Sequence, residues 1–441
     1  MKEKNYKALI PIGVFVLLYL GLGIYFEYIK QIPMGFYSVP VVVVFLIALV
    51  VACVQNKELE FDDKLTIMAK SVGDKNILTM LLIFLAAGVF VGVVGRGSAE
   101  SVAYFMLSII PPQYSVIVLF VVSAFVSLAM GTSVGTITLI TPIAVAIANG
   151  SGFDMALCVG TVVGGSMFGD NLSFISDTTI AACNGQGCQM KDKFKENFFI
   201  ALPAAIASMI IIIVMSLGSY EGGAQIGDFD LIKIIPYIIV LIGGIVGINV
   251  FVVLIVGIVC GMVIMLATGS VTFFDMVGNM GSGVSGMFET SMVAVLVAAI
   301  CALISEYGGF AALLSLNKKM FKGKKSGQLG IGVLVGAMDI ATANNTVAIV
   351  MANPIAKEMA EEYGVSPKKT ASLLDTFSCI FQGIIPYGAQ VLVALSISNE
   401  LGAKLSAFNI LPNLLYPYLL LISSLVFIFI IPDKDNKKKE N

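Results

Sequence analysis

The chain has 441 residues, 58% hydrophobic and 12% charged, with a formal net charge of −2. Soluble domains carry about 25% charged residues, so a water-soluble globular protein is excluded; the net charge itself says little, because its location matters more than its sum, and no nucleic-acid partner is expected. Histidine is absent, which removes Cys/His metal spacing and leaves Asp, Glu or a neutral Lys to carry any proton.

Apolar runs at 9–25, 39–54 and 77–94 are long enough to cross a bilayer. The lysine-bearing start followed by an apolar run suggests a signal peptide. The run is long, however, and no small-residue cleavage site follows, so a retained first span is expected. The seven cysteines are scattered, and Cys183 and Cys188 read as free thiols in a reducing cytosol.

Lysine carries the topology signal, because Arg96 is the single arginine. Lys57, Lys64, Lys70 and Lys75 mark one loop, and Lys191, Lys193 and Lys195 a second. Lys318, Lys319, Lys322, Lys324 and Lys325 mark a third, and Lys357, Lys368 and Lys369 a fourth. The positive-inside rule places all of them in the cytoplasm, with the N-terminus and the tail bearing Lys437, Lys438 and Lys439. A multi-pass protein of a bacterial inner membrane, both termini cytoplasmic, is expected. The 219–230 loop, with Glu221, Asp228 and Asp230 but no lysine, goes outside.

Two apolar segments, 114–131 and 132–149, meet at Gly131, Thr132, Ser133, Gly135 and Thr136. A polar, glycine-rich tip suits backbone buried in protein and not in lipid. A re-entrant hairpin over 114–149 is therefore preferred to two full spans. The next span, 155–183, carries Asp170, Asn171, Ser173 and Asp177. A charged side chain in mid-bilayer costs roughly 2.5–3.5 kcal/mol, so these carboxylates need a reason. A helix broken at Gly169, Asp170 and Asn171 would present free carbonyls beside them, a set of hard oxygens that suits Na⁺ or a proton. Asp170 and Asp177, at i and i+7, would share a helix face. The plainer reading of each is a cap or an interhelical hydrogen bond. A span at 197–218 closes the first half.

The second half repeats the plan with spans at 231–248, 250–268 and 288–304, then a hairpin over 327–360 tipped by Asn344, Asn345 and Thr346. A broken span at 370–398 carries Asp375 and is interrupted at 382–388, and a final span runs over 407–432. Asp339 and Glu289 read equally well as structural. Thr132 and Thr136 match Thr342 and Thr346, Pro142 matches Pro354, and 168–170 lie near 381–383. These matches predict an all-α polytopic membrane protein of two inverted repeats, 1–222 and 223–441. Each repeat has about five spans and one re-entrant hairpin, the pattern of secondary transporters with a midplane site.

The expected ion and proton residues are Asp170, Asp177, Asp375, Asn171 and Ser173, with Na⁺ at Asp170, Asn171 and Asp177. The expected hairpin-tip or solute residues are Thr132, Ser133, Thr136, Asn344, Asn345 and Thr346. No Lys or Arg is placed in the membrane centre, so an anionic substrate would rely on amides, hydroxyls and helix dipoles.

Gly131, Thr132, Ser133, Gly135, Thr136 and Pro142, with Gly169, Asp170, Ser173, Ser176, Asp177, Thr178 and Thr179, form a pattern that resembles the NhaC-type sodium/proton antiporter family. Asn345 and Thr346, with Pro354 downstream, also resemble the Ser-Asn-Thr hairpin signature of divalent-anion/sodium symporters, although Asn344 stands where that signature has Ser. The resemblance covers most of the chain. It implies a scaffold domain and an elevator-like transport domain, Na⁺ coupling and, by analogy, a homodimer among membrane lipids. It also implies no cofactor beyond the transported Na⁺ and H⁺, and no enzymatic activity. Members of the family also move amino acids and carboxylates. The leading expectation is a Na⁺/H⁺ antiporter with both ions competing at intramembrane aspartates. The alternative is a Na⁺- or H⁺-coupled transporter of a small organic solute. An intramembrane aspartyl protease would need Gly where Met167 stands, and paired hairpins do not suit a channel.

Overall fold

The computed structural model describes residues 3–32, 39–173, 176–219, 228–246 and 248–430. Glu221 and the lysine run at 437–439 lie outside the described residues. Every regular element described is helical. The first quarter holds α1 (Ile10–Ile24), α2 (Val41–Gln55), α3 (Phe61–Val72) and α4 (Lys75–Ile109). α4 is two helices joined across Gly95, whose φ of 61° and ψ of −173° suit glycine alone. The sequence reading ended this span near Gly95; the chain continues as helix to Ile109.

Then come α5 (Ser115–Met130), α6 (Ser133–Ser151), α7 (Met155–Leu172), α8 (Asp177–Gln186) and α9 (Met190–Ser219). α10 (Leu231–Ile245), α11 (Val250–Ala267), α12 (Phe273–Gly286), α13 (Phe288–Glu306) and α14 (Gly309–Met320) follow. The chain closes with α15 (Lys324–Thr342), α16 (Asn345–Tyr363), α17 (Pro367–Ile384), α18 (Ala389–Glu400), α19 (Ala407–Ile410) and α20 (Leu415–Phe429). Short helices α3, α12 and α14 stand where the sequence reading had loops. Among the described residues, six helices are long and apolar enough to cross a membrane, or up to eight if each bent pair counts as one span.

Two blocks share one backbone. The bounds of α6 and α7 (133, 151, 155, 172) recur 212 positions on in α16 and α17 (345, 363, 367, 384). α5 and α15 both end two residues before the next helix, and α8 and α18 both begin at the matching position. The tips match in conformation as well. Gly131 (φ 70°) and Ala343 (φ 47°) are left-handed, and each is followed by an extended N-cap, Thr132 or Asn344. Each N-cap side chain accepts from the backbone N–H three residues on, Gly135 or Val347, which satisfies a donor that a helix start leaves free. This register corrects the alignment made from threonines: Thr132 pairs with Asn344 and Thr136 with Ala348, while Pro142 still pairs with Pro354. The threonine spacing misled because it is offset by two residues from the caps that fix the turn. Asp170 pairs with Gln382, not with a glycine.

The glycines of the acidic segment have a packing role. A Cβ on Gly165 would stand 2.5 Å from the Phe120 carbonyl oxygen, and one on Gly169 would stand 2.2 Å from that of Ala124. Bare glycine lets α7 lie directly on α5, as small residues do between membrane helices. In the second block the sizes are exchanged. Gly332 and Gly336 on α15 receive the rings of Phe377 and Phe381 on α17, which occupy the positions of Gly165 and Gly169.

Candidate functional site

α7 ends at Leu172, where Ser173 turns extended and donates its N–H to the Asp170 carbonyl at 3.1 Å. Asp170 therefore stands on the last turn, the end of a helix that favours cations. Its side chain is 7% exposed and held by two hydroxyls. Ser133 Oγ donates to Oδ2 at 2.8 Å, and Ser176 Oγ to Oδ1 at 2.6 Å. Gln390 Nε2 donates to Ser133 Oγ at 3.1 Å, and Ser176 Oγ lies 2.8 Å from Thr178 Oγ1. The result is a polar line that runs from the second block through Asp170 into α8.

These groups surround a cavity of about 10 Å³, room for about one water-sized particle. Its lining is Ser133, Met167, Asp170, Asn171, Thr178, Asn345, Asp375, Cys379 and Gln390. Six of the nine form three matched pairs across the repeat: Ser133 with Asn345, Met167 with Cys379, and Thr178 with Gln390. The cavity thus lies where the two blocks meet. The unmatched lining is the charged and amide group: Asp170, Asn171 and Asp375.

Of the residues singled out in the sequence, the cavity gathers Ser133, Asp170, Asn171, Asn345 and Asp375. Ser173 is buried beside it but donates to the Leu128 carbonyl at 2.8 Å. Thr132 caps α6, and the Thr136 hydroxyl donates back to the Thr132 carbonyl at 2.9 Å. Asn344 faces a different cavity, and Thr346 lines neither. Asp177 is exposed at the first position of α8. The expected shared face with Asp170 does not exist, because the helix stops between them and the i, i+7 relation is lost. A carboxylate in a first turn complements the helix dipole.

Two residues escaped the sequence reading. Lys193, read as a loop lysine, lies in the first turn of α9 and is 1% exposed. It ion-pairs with Asp375, which is 2% exposed, and also donates to the Asn171 carbonyl at 3.0 Å and Thr179 Oγ1 at 2.8 Å. Asn197, one helical turn on, donates to the Asn171 carbonyl at 2.8 Å and to Asp375 Oδ2 at 3.0 Å. It accepts from Ser372 at 2.5 Å and Thr376 at 2.9 Å. The i, i+4 spacing of Lys193 and Asn197, which puts both on one face of the charged start of α9, was the available signal. It was hidden because lysines had been read only as topology markers. Lys64 is a second case: it is buried and donates to the Cys53 and Asn56 carbonyls, closing the end of α2.

A larger cavity of about 550 Å³ lies on the other side of the second tip. Its lining includes Thr342, Ala343, Asn344 and Tyr387 together with Lys70 and Glu306.

The Na⁺/H⁺ antiporter family model matches residues 12–217 and 224–431. The chain belongs to the Na⁺/H⁺ antiporter family. It is therefore a multi-pass membrane transporter of a sodium/proton antiporter family, not an enzyme. An uncharacterized Na⁺/H⁺ antiporter of Haemophilus influenzae is 23% identical over 72% of this chain and 77% of its own length. The malate-2H⁺/Na⁺-lactate antiporter of Bacillus subtilis is 24% identical over 52% of this chain and 46% of its own length. The Na⁺/H⁺ antiporter NhaC of Alkalihalophilus pseudofirmus is 26% identical over 33% of this chain and 30% of its own. Among solved structures, the YdaH transporter of Alcanivorax borkumensis aligns over 96% of this chain and 98% of its own, with a TM-score of 0.43 and 13% identity.

Proposed function

We propose that the chain is a secondary active Na⁺/H⁺ antiporter in which Na⁺ and a proton compete for Asp170. The observation that carries this reading is the Asp170 carboxylate, buried between two hydroxyl donors at the edge of a cavity of ionic size. A serine hydroxyl is both donor and acceptor. With Asp170 ionised and no cation near, Ser133 and Ser176 donate to it. With Na⁺ in the cavity, both hydroxyls rotate and offer lone pairs, and the Asn345 and Gln390 amides add carbonyl oxygens. With a proton on Asp170, the acid itself donates to one of them. The three states use the same oxygens, so Na⁺ and proton exclude one another. Rigid movement of the α5–α8 and α15–α18 blocks against the remaining helices alternates access. The protein sits in a bacterial cell membrane with both termini in the cytoplasm, its two halves related as inverted repeats.

Uptake of labelled Na⁺ into proteoliposomes, driven by an outward proton gradient, tests this. The apparent affinity for Na⁺ falls as pH falls, because protons occupy Asp170. Uptake that ignores the gradient sinks the reading.

A second reading, coupled transport of a small carboxylate or amino acid, is favoured by the cavity of about 550 Å³ against Asn344, a volume within the usual range for small-molecule sites. The matched malate/lactate exchanger is a relative with such a substrate. The same uptake assay with malate, lactate and amino acids added separates the two: a strict solute requirement replaces the first reading by the second.

A further inference from the structure

Lys193 has no part in the exchange just described, yet it is placed with care. A buried ammonium persists only where charge and hydrogen bonds compensate it. Lys193 has three protons to donate and three oxygen acceptors: the Asp375 carboxylate, the Asn171 carbonyl and the Thr179 hydroxyl. Asn171 and Asp375 also line the ion-sized cavity. The ammonium therefore occupies a cation position directly behind the one open to ions. Asn197 braces both shared acceptors from the next turn of α9. The matching position in the first block holds Val163, and Lys193 lies outside both repeated blocks. The pair is thus a neutral addition to a symmetric frame.

We propose that Lys193 is the site's permanent counter-charge. It neutralises Asp375 throughout the cycle and leaves Asp170 as the single carboxylate that exchanges ions, so that one Na⁺ moves against one proton without net charge transfer. The proposal rests on the antiporter reading above. Its charge count is direct. Asp375 and Lys193 sum to zero, and Asp170 contributes one negative charge that either Na⁺ or one proton cancels. Without the ammonium, Asp375 becomes a second open carboxylate on the same cavity. The site then takes two protons against one Na⁺, and turnover moves charge.

The test uses the full-length protein in phosphatidylethanolamine/phosphatidylglycerol vesicles, with the membrane potential clamped by potassium and valinomycin at zero or inside-negative. Wild-type protein that moves no protons in response to Na⁺ overturns the antiporter reading itself, a failure distinct from those below. The wild-type rate is expected to be the same at both clamps, as is that of Lys193→Arg. Lys193→Gln is expected to change severalfold between clamps. The double variant Lys193→Gln/Asp375→Asn, which removes both charges together, is expected to exchange ions and to ignore the clamp again. It also answers the question if the single variant fails to fold. A potential-sensitive wild type overturns the proposal, as does a folded Lys193→Gln that ignores the clamp. So does a monodisperse double variant without exchange, which would make Asp375 itself a ligand of the transported ion.

Discussion

The blocks α5–α8 and α15–α18 are built alike and furnished differently. Their helix bounds agree residue for residue at a fixed offset, their tips adopt the same left-handed turn, and both place an N-terminal helix residue, Ser133 or Asn345, on one small cavity. The charge does not follow the frame. Asp170 faces Gln382 across the repeat, Asn171 faces Gly383, and Asp375 faces Val163. Backbone symmetry frames the central space, and side-chain asymmetry gives it its two carboxylates, Asp170 and Asp375. The interior packing differs too: Gly165 and Gly169 of α7 lie on the Phe120 and Ala124 backbone of α5, whereas Gly332 and Gly336 of α15 receive the Phe377 and Phe381 rings of α17.

The comparison can be broken most severely at the charge pair that the first block lacks. Asp375→Asn leaves Lys193 buried without its counter-ion and should lower stability by roughly 3–5 kcal/mol, read as a large fall in the melting temperature of the detergent-solubilised protein. Val163→Thr, at the matching buried position, brings in one hydroxyl and should cost less, about 1–3 kcal/mol. Next, Asp170→Asn should abolish Na⁺-driven proton exchange, because an amide takes no proton and Asp375 is held by Lys193. Adding Gln382→Asp should not restore it, because Gln382 donates to the Ala343 carbonyl at 3.0 Å and does not line the cavity. Recovery would show that the halves are interchangeable after all. Third, Gly169→Ala pushes a methyl into the α5 backbone and should cost about 1–3 kcal/mol, the range for overpacking. Gly336→Ala meets the Phe381 ring and should cost less, since a ring can shift where a carbonyl cannot. Smallest, Ser133→Ala removes one hydroxyl and should weaken apparent Na⁺ affinity by about fivefold, near 1 kcal/mol. Asn345→Ala should do the same if both tips serve the ion equally.

The sequence carried the frame better than the site. Two polar-tipped apolar pairs and two interrupted spans were legible because glycine, threonine, asparagine and proline punctuate apolar runs strongly. The cavity's first-half members, Ser133, Asp170 and Asn171, stood out because polar groups are rare in such company. Lys193 did not, since a lysine three residues into a helix looks like any lysine of a cytoplasmic loop until the fold shows what covers it. Asp177 lies apart from the cavity because a helical spacing does not carry across the point where α7 stops. Gln390 is invisible singly and becomes notable only once the fixed offset pairs it with Thr178.

The size of the central cavity has a consequence for selectivity. The space beside Asp170, about 10 Å³, takes about one water-sized particle. On the proposed reading, a cation that enters leaves its shell of several waters behind. It must exchange water for the carboxylate, hydroxyl and amide oxygens around it. Discrimination among alkali ions then depends on which ion recovers its lost hydration energy from oxygens at that spacing, not on which is most strongly attracted to a negative charge.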